Sequence, residues 1–196
     1  MEFIGREREL VRIKKALKAA EQRNVLVYGR RRVGKSELIK QALTDLSDIA
    51  TVYYECRQTS EADNLESLSA LVAEALGFPP LAFTGIRELI EFLFAQAKDK
   101  NITLVLDEYP YLRDAVKGLD SILQTSIDAH REGSRLNIVL CGSYVEIMKS
   151  LIEHESPLYG RIDLALELKP MDYFDAAKFY PAFSPEDKVR LYSVFG

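Results

Sequence analysis

The sequence predicts an α/β fold: a three-layer sandwich whose five-stranded, mainly parallel sheet is covered by helices on both faces. Two patterns carry this. Short apolar runs alternate with segments of helical period along nearly the whole chain, and that alternation builds parallel sheets. Two of the runs, Ile102–Leu106 and Leu136–Cys141, are apolar but for one residue each, Thr103 and Asn137, as suits strands buried on both faces.

Leu10, Ile13, Leu17 and Ala20 fall on one face of a helix over 7–20. Val25–Tyr28 reads as the first strand, ending at Gly29, and 36–46 returns to helical period through Leu38, Ile39, Ala42 and Leu43. Thr51–Tyr54 is rich in β-branched and aromatic residues, a second strand. Leu65, Leu68, Val72 and Leu76 make a helix stopped at Gly77-Phe78-Pro79-Pro80, and Ile86 to Ala97 makes another. Strand three is Ile102–Leu106. A helix through Leu119, Ile122, Leu123 and Ile127 leads to strand four, Leu136–Cys141. Val145, Met148 and Ile152 continue as helix, Leu164–Leu168 is strand five, and Ser184-Pro185-Glu186-Asp187 has the order of a helix start. Ligands of such sheets bind beyond the carboxyl ends of the strands.

The 196 residues, 47% hydrophobic and 29% charged, suit one α/β domain with a short appendage. We expect a core over 1–168 and the start of a helical or lid-like region over 169–196. The formal charge of −4 supplies no global basic field, which leaves nucleic-acid binding to other regions. No apolar stretch is long enough to span a bilayer, so no membrane partner is expected. Cys56 and Cys141 stand far apart without metal-ligand spacing, consistent with a reducing, cytoplasmic setting. His130 and His154 stand singly and read as surface or packing residues.

After the first strand stands Gly29-Arg30-Arg31-Arg32-Val33-Gly34-Lys35-Ser36, a complete G-x-x-x-x-G-K-S in the strand-to-helix setting of a phosphate-binding loop, or Walker A motif. Its backbone N–H groups converge on phosphate oxygens, Lys35 adds a point charge, and Ser36 offers a hydroxyl to Mg²⁺. The ligand so implied is a nucleotide's phosphates with Mg²⁺.

Thr103-Leu104-Val105-Leu106-Asp107-Glu108 fits a Walker B strand. Asp107 would hold the magnesium shell and Glu108 would act as base toward the attacking water. Otherwise the two acidic residues are a solvated strand end, with Pro110 forcing a turn. Thr51–Tyr54 falls between the motifs, so we infer a strand inserted between the Walker A and Walker B strands. Ser143, at the end of strand four, occupies the place of a γ-phosphate sensor, a role compatible with capping the next helix.

Four blocks resemble the archaeal ATPase family of P-loop NTPases, relatives of the STAND and AAA+ ATPases. They are Phe3–Leu10, Gly29–Ser36, Leu106-Asp107-Glu108-Tyr109-Pro110-Tyr111-Leu112, and Cys141-Gly142-Ser143 with Pro157-Leu158-Tyr159-Gly160-Arg161. The resemblance implies ATP or ADP with Mg²⁺ as the ligand, and a P-loop ATPase coupling Mg-ATP hydrolysis to movement of downstream domains. It leaves open a nucleotide switch with negligible turnover, or a DNA-associated motor. It also implies that Ile4 and Arg6 belong to the adenine pocket and that Arg161 contacts the γ-phosphate, unless Arg161 only pairs with Asp163. Arg30, Arg31 and Arg32 either serve the phosphates or project as solvated charges. Family members continue further than this chain, whose tail carries Tyr180, Phe183, Leu191 and Tyr192 with little core to receive them. A truncated chain, completed by missing C-terminal domains or self-association, is therefore expected.

Overall fold

In chain order, the computed structural model has α1 (Glu7–Leu17), β1 (Asn24–Tyr28), α2 (Lys35–Leu43), β2 (Ala50–Glu55), α3 (Glu61–Leu76), α4 (Ile86–Gln96) and β3 (Ile102–Asp107). There follow α5 (Tyr109–Ala115), α6 (Leu119–His130), β4 (Leu136–Gly142), α7 (Val145–Ser150), β5 (Leu164–Glu167), α8 (Tyr173–Ala177) and α9 (Pro185–Phe195). The structure describes residues 3–44, 46 and 48–195. Asp45, within the helix expected over 36–46, lies outside them.

The five strands form one sheet in the order β2-β3-β4-β1-β5, every neighbouring pair parallel. The central strands β1, β3 and β4 are buried at every position, while β2 and β5 at the edges are mixed. This explains the placement of β2. In the chain it lies between the strands that carry the two motifs, but in the sheet β4 separates them and β2 pairs on the far side of β3. The continuous apolar run of β4 suits the centre, whereas Thr51 and Glu55 suit an edge.

Alternate side chains point to opposite faces. Leu26, Leu104, Leu106, Ile138 and Leu140 pack in one core with Leu68, Leu93, Leu112, Leu123 and Met148, from α3, α4, α5, α6 and α7. Val25, Val27, Val105, Val139 and Cys141 pack on the other face with Ile13 and Leu17 of α1 and Leu38 and Ile39 of α2. The result is the expected three-layer sandwich.

Two helices escape the sequence pattern. Helix α5 begins directly after Glu108 and carries Pro110 in its first turn, where a missing N–H costs nothing, so Pro110 starts a helix rather than a turn. Helix α8 is one short turn capped by Asp172, whose side chain accepts from the Asp175 N–H. Ser184 caps α9 likewise, accepting from the Asp187 N–H at 3.2 Å.

The tail folds back on the amino-terminal block. Asp175 accepts from the Arg6 N–H at 3.3 Å, and the Lys178 ammonium donates to Asp175 and Glu7. Tyr173 and Tyr192 meet edge to face between α8 and α9. Among the described residues no helix is long and apolar enough to cross a membrane.

Candidate functional site

The carboxyl ends of β1, β3 and β4 converge at one edge of the sheet, and the chemistry is gathered there. Gly29 leaves β1 so close to the Leu168 carbonyl oxygen that a Cβ would lie 2.1 Å from it, and only glycine fits. Gly34, at φ 88°, turns the chain into α2, so the loop ends at a helix amino terminus. Arg32, Glu108 and Arg6 are the three described non-glycine residues with positive φ, and all three border this site. Strain of that kind persists where the surroundings enforce it.

Lys35 is 5% exposed, yet its ammonium is satisfied, donating to the carbonyls of Gly29 (3.1 Å) and Arg30 (3.0 Å) and to the Ser143 hydroxyl (2.9 Å). Ser143 in turn donates through its hydroxyl to Glu108 Oε1 (2.6 Å) and through its N–H to Glu108 Oε2 (3.2 Å). Three residues from three segments thus form one hydrogen-bonded chain across the mouth of the loop.

Asp107 lies beneath it. Its Oδ1 accepts from the Glu108 N–H at 2.9 Å and its Oδ2 from the Tyr53 hydroxyl at 2.5 Å. Ser36 and Cys141 lie near enough to favour its charged form as well. Burial works against the charge, yet these donors together hold the carboxyl below its ordinary range. Burial, reinforced by Asp107, keeps Cys141 a protonated thiol.

A carboxylate beside a hydroxyl is a hard-oxygen donor pair. No group of three or more His, Cys, Asp or Glu among the described residues could hold a metal by itself. Mg²⁺ is commonly held by one or two carboxylates together with phosphates and water, and a carboxylate with a hydroxyl is a donor set of that kind. Ser36 and Asp107 are the residues that would hold it.

Beside the loop opens a cavity of about 650 Å³, within the range of small-molecule sites. Ile4, Arg6, Arg30, Arg31, Arg32, Val33 and Gly34 line one side, and Met171, Tyr180, Leu191 and Tyr192 the other. The tail residues therefore form the cavity's far wall. The buried Arg6 guanidinium fastens this corner, donating to the carbonyls of Val33 (3.4 Å) and Lys169. The side chains of Arg30, Arg31 and Arg32 are exposed, but Arg31 is engaged: it donates to Tyr111 at 3.1 Å and Tyr144 at 3.5 Å, and lies over the Tyr144 ring.

Arg161 is the exception among the expected site residues. It precedes β5 and sits at the amino end of the sheet, where its carbonyl accepts from Asn24 Nδ2 at 2.8 Å. One strand length, roughly 15 Å, separates it from the loop. Its guanidinium forms a two-pronged pair with Asp128 (2.8 and 2.6 Å), and Asp163 pairs with Arg23 instead. Arg161 is therefore removed from the site, and its expected partner is corrected as well. The two histidines are packing residues: His130 stacks on Phe94 and bonds Glu91, and His154 lies against Tyr159.

Sequence reasoning missed Tyr53 and the support behind Glu108. The signal for Tyr53 is strand parity, which sets Thr51 and Tyr53 on the face of Asp107. Behind Glu108, the wholly buried Tyr109 donates to Asp120 at 2.5 Å and Arg113 donates to the same carboxylate at 2.8 Å, locking α5 to α6.

An all-parallel sheet of this order, with a phosphate-binding loop after β1 and an acidic pair after β3, defines a P-loop ATPase-like domain. Residues 3–196 match the family of ATPase domains found predominantly in Archaea, and the chain belongs to that family. An uncharacterized protein of Methanocaldococcus jannaschii, MJECL04, is 29% identical over 191 residues, covering 97% of this chain and 41% of its own length. The Walker-type ATPase paby2304 of Pyrococcus abyssi shares the fold with a TM-score of 0.67 at 21% identity, covering 96% of this chain and 63% of its own. The Aeropyrum pernix ORC2 protein, solved as ADPNP–ADP complexes, shares it with a TM-score of 0.68 at 19% identity, covering 97% and 53%. The chain thus spans about two fifths of the curated relative it matches and less than two thirds of these two solved chains.

Proposed function

We propose that this domain binds ATP with Mg²⁺ and hydrolyses it, coupling the cycle to movement of parts beyond this chain, as an AAA+- or STAND-like ATPase. The observation that carries the proposal is the hydrogen-bonded chain Lys35–Ser143–Glu108 across the phosphate-binding loop. The base and sugar enter the cavity between Ile4, Arg6 and the tail wall, and the phosphates lie on the loop N–H groups. Phosphate oxygens are stronger acceptors than the carbonyls of Gly29 and Arg30, so Lys35 turns to them. Ser143 turns its hydroxyl to the γ-phosphate, which frees an oxygen of Glu108 to accept a proton from water as that water attacks phosphorus. Mg²⁺, when bound, neutralises charge developing on the phosphate oxygens.

Glu108→Gln tests this directly. The amide keeps the shape and loses the basicity, so ATP affinity should persist while phosphate release falls about 100-fold or more. Equal turnover in parent and variant would remove Glu108 from the reaction.

A second reading is a nucleotide-dependent switch with negligible turnover, and the hold of Ser143 on both oxygens of Glu108 favours it. Phosphate release by the parent no faster than the uncatalysed background would select it. A DNA-associated motor draws support from a fold shared with the Aeropyrum pernix ORC1 protein, solved in complex with DNA. With a formal charge of −4, this chain would leave DNA contacts to other regions, and phosphate release measured with and without DNA separates that case.

A further inference from the structure

We propose that Tyr53 is a positioning residue for the cation-binding oxygens: its hydroxyl fixes the Asp107 carboxylate so that Asp107 and Ser36 present their oxygens together to a divalent cation carried by the nucleotide phosphates. The inference rests on the nucleotide reading above.

Its basis is the register of the sheet. Tyr53 lies opposite Val105 and Glu55 lies opposite Asp107, so Tyr53 reaches Asp107 along the diagonal, a span that an aromatic side chain can bridge. Tyr53 and Asp107 point to the same face, the one covered by α2, which begins at Lys35 and Ser36. The phenol donates to Oδ2 at 2.5 Å while the Glu108 N–H donates to Oδ1 at 2.9 Å. With one donor on each oxygen, the carboxylate cannot rotate.

Packing alone does not account for a tyrosine here. The ring fills the edge of the α2-side core and lies 5.6 Å from the Lys40 ammonium, contacts that phenylalanine would make equally well. What the hydroxyl adds is the bond to Asp107. Partners that orient metal ligands in this way typically contribute 10- to 100-fold to metal affinity.

The test is calorimetric titration of ATP into the parent and Tyr53→Phe, each in excess Mg²⁺ and in EDTA. The ratio of the two affinities within one protein isolates the contribution of the ion, so general damage to the fold cancels. We expect Mg-free affinity to hold within about twofold and the ratio to fall about tenfold in Tyr53→Phe. A ratio equal to the parent's, whether both affinities hold or both fall together, overturns the role of Tyr53 and leaves the nucleotide reading intact. A parent whose affinity is indifferent to Mg²⁺ overturns both.

Discussion

Ser143 grips both oxygens of Glu108, with its hydroxyl 2.6 Å from Oε1 and its backbone nitrogen 3.2 Å from Oε2. The same hydroxyl accepts from Lys35, so one side chain links the lysine of the loop to the proposed base. Ser143→Ala should lower single-turnover ATP hydrolysis at least about tenfold while costing only about 1 kcal/mol of stability. Ser143→Thr, which keeps the hydroxyl, should recover much of the rate. Unchanged hydrolysis in Ser143→Ala would make the serine a structural link between Lys35 and Glu108 only, since it does not cap α7, whose N-cap is Tyr144.

Arg161→Ala should leave nucleotide affinity and turnover as in the parent, because the guanidinium lies at the opposite end of the sheet and is spent on Asp128. Both partners are partly solvated, so the stability lost should be about 0.5–1 kcal/mol. A marked fall in hydrolysis would return Arg161 to the site.

The same pair makes stability depend on acid. The hydrogen bond from Arg161 holds Asp128 below its ordinary range. Its contribution is complete above an unfolded carboxyl value near ~3.9 and is lost as pH falls through the lower folded value. The advantage of the parent over Asp128→Asn in thermal unfolding should therefore be constant at neutral pH and shrink below about pH 4. An advantage that persists unchanged in acid would contradict the pairing.

Thr103, in the middle of β3, is fully buried and its hydroxyl has no hydrogen-bond partner. Valine has nearly the same shape without the oxygen. Thr103→Val should raise stability by about 1 kcal/mol in denaturant unfolding, with m unchanged. A loss of stability would mean that the hydroxyl is satisfied.

Much of this was legible in the sequence. Ile102–Leu106 and Leu136–Cys141 read as doubly buried strands because no polar residue interrupts their hydrophobic pattern beyond Thr103 and Asn137. The loop Gly29–Ser36 and the pair Asp107-Glu108 are contiguous in the chain, so their chemistry needs no tertiary information. Tyr53 is different. Its role depends on which strand pairs with β3 and in what register, and β2 joins at the edge without announcing it. Arg161 belongs to a block that resembles the family's, yet topology sets it far from the loop. In an all-parallel sheet, residues just before a strand lie at its amino edge, and Arg161 stands three positions ahead of Leu164. Helix α5 was hidden because Pro110 reads as a turn unless it is recognised as lying in a first turn.

In the proposed function the loop after β1 holds nucleotide phosphates through Lys35. Calorimetric titration of ATP in Mg²⁺ into the parent and Lys35→Ala tests it most directly. Loss of charge-assisted hydrogen bonds to phosphate should weaken binding about 100-fold or more, with the fold retained by circular dichroism. Equal affinities in a folded variant would contradict the account.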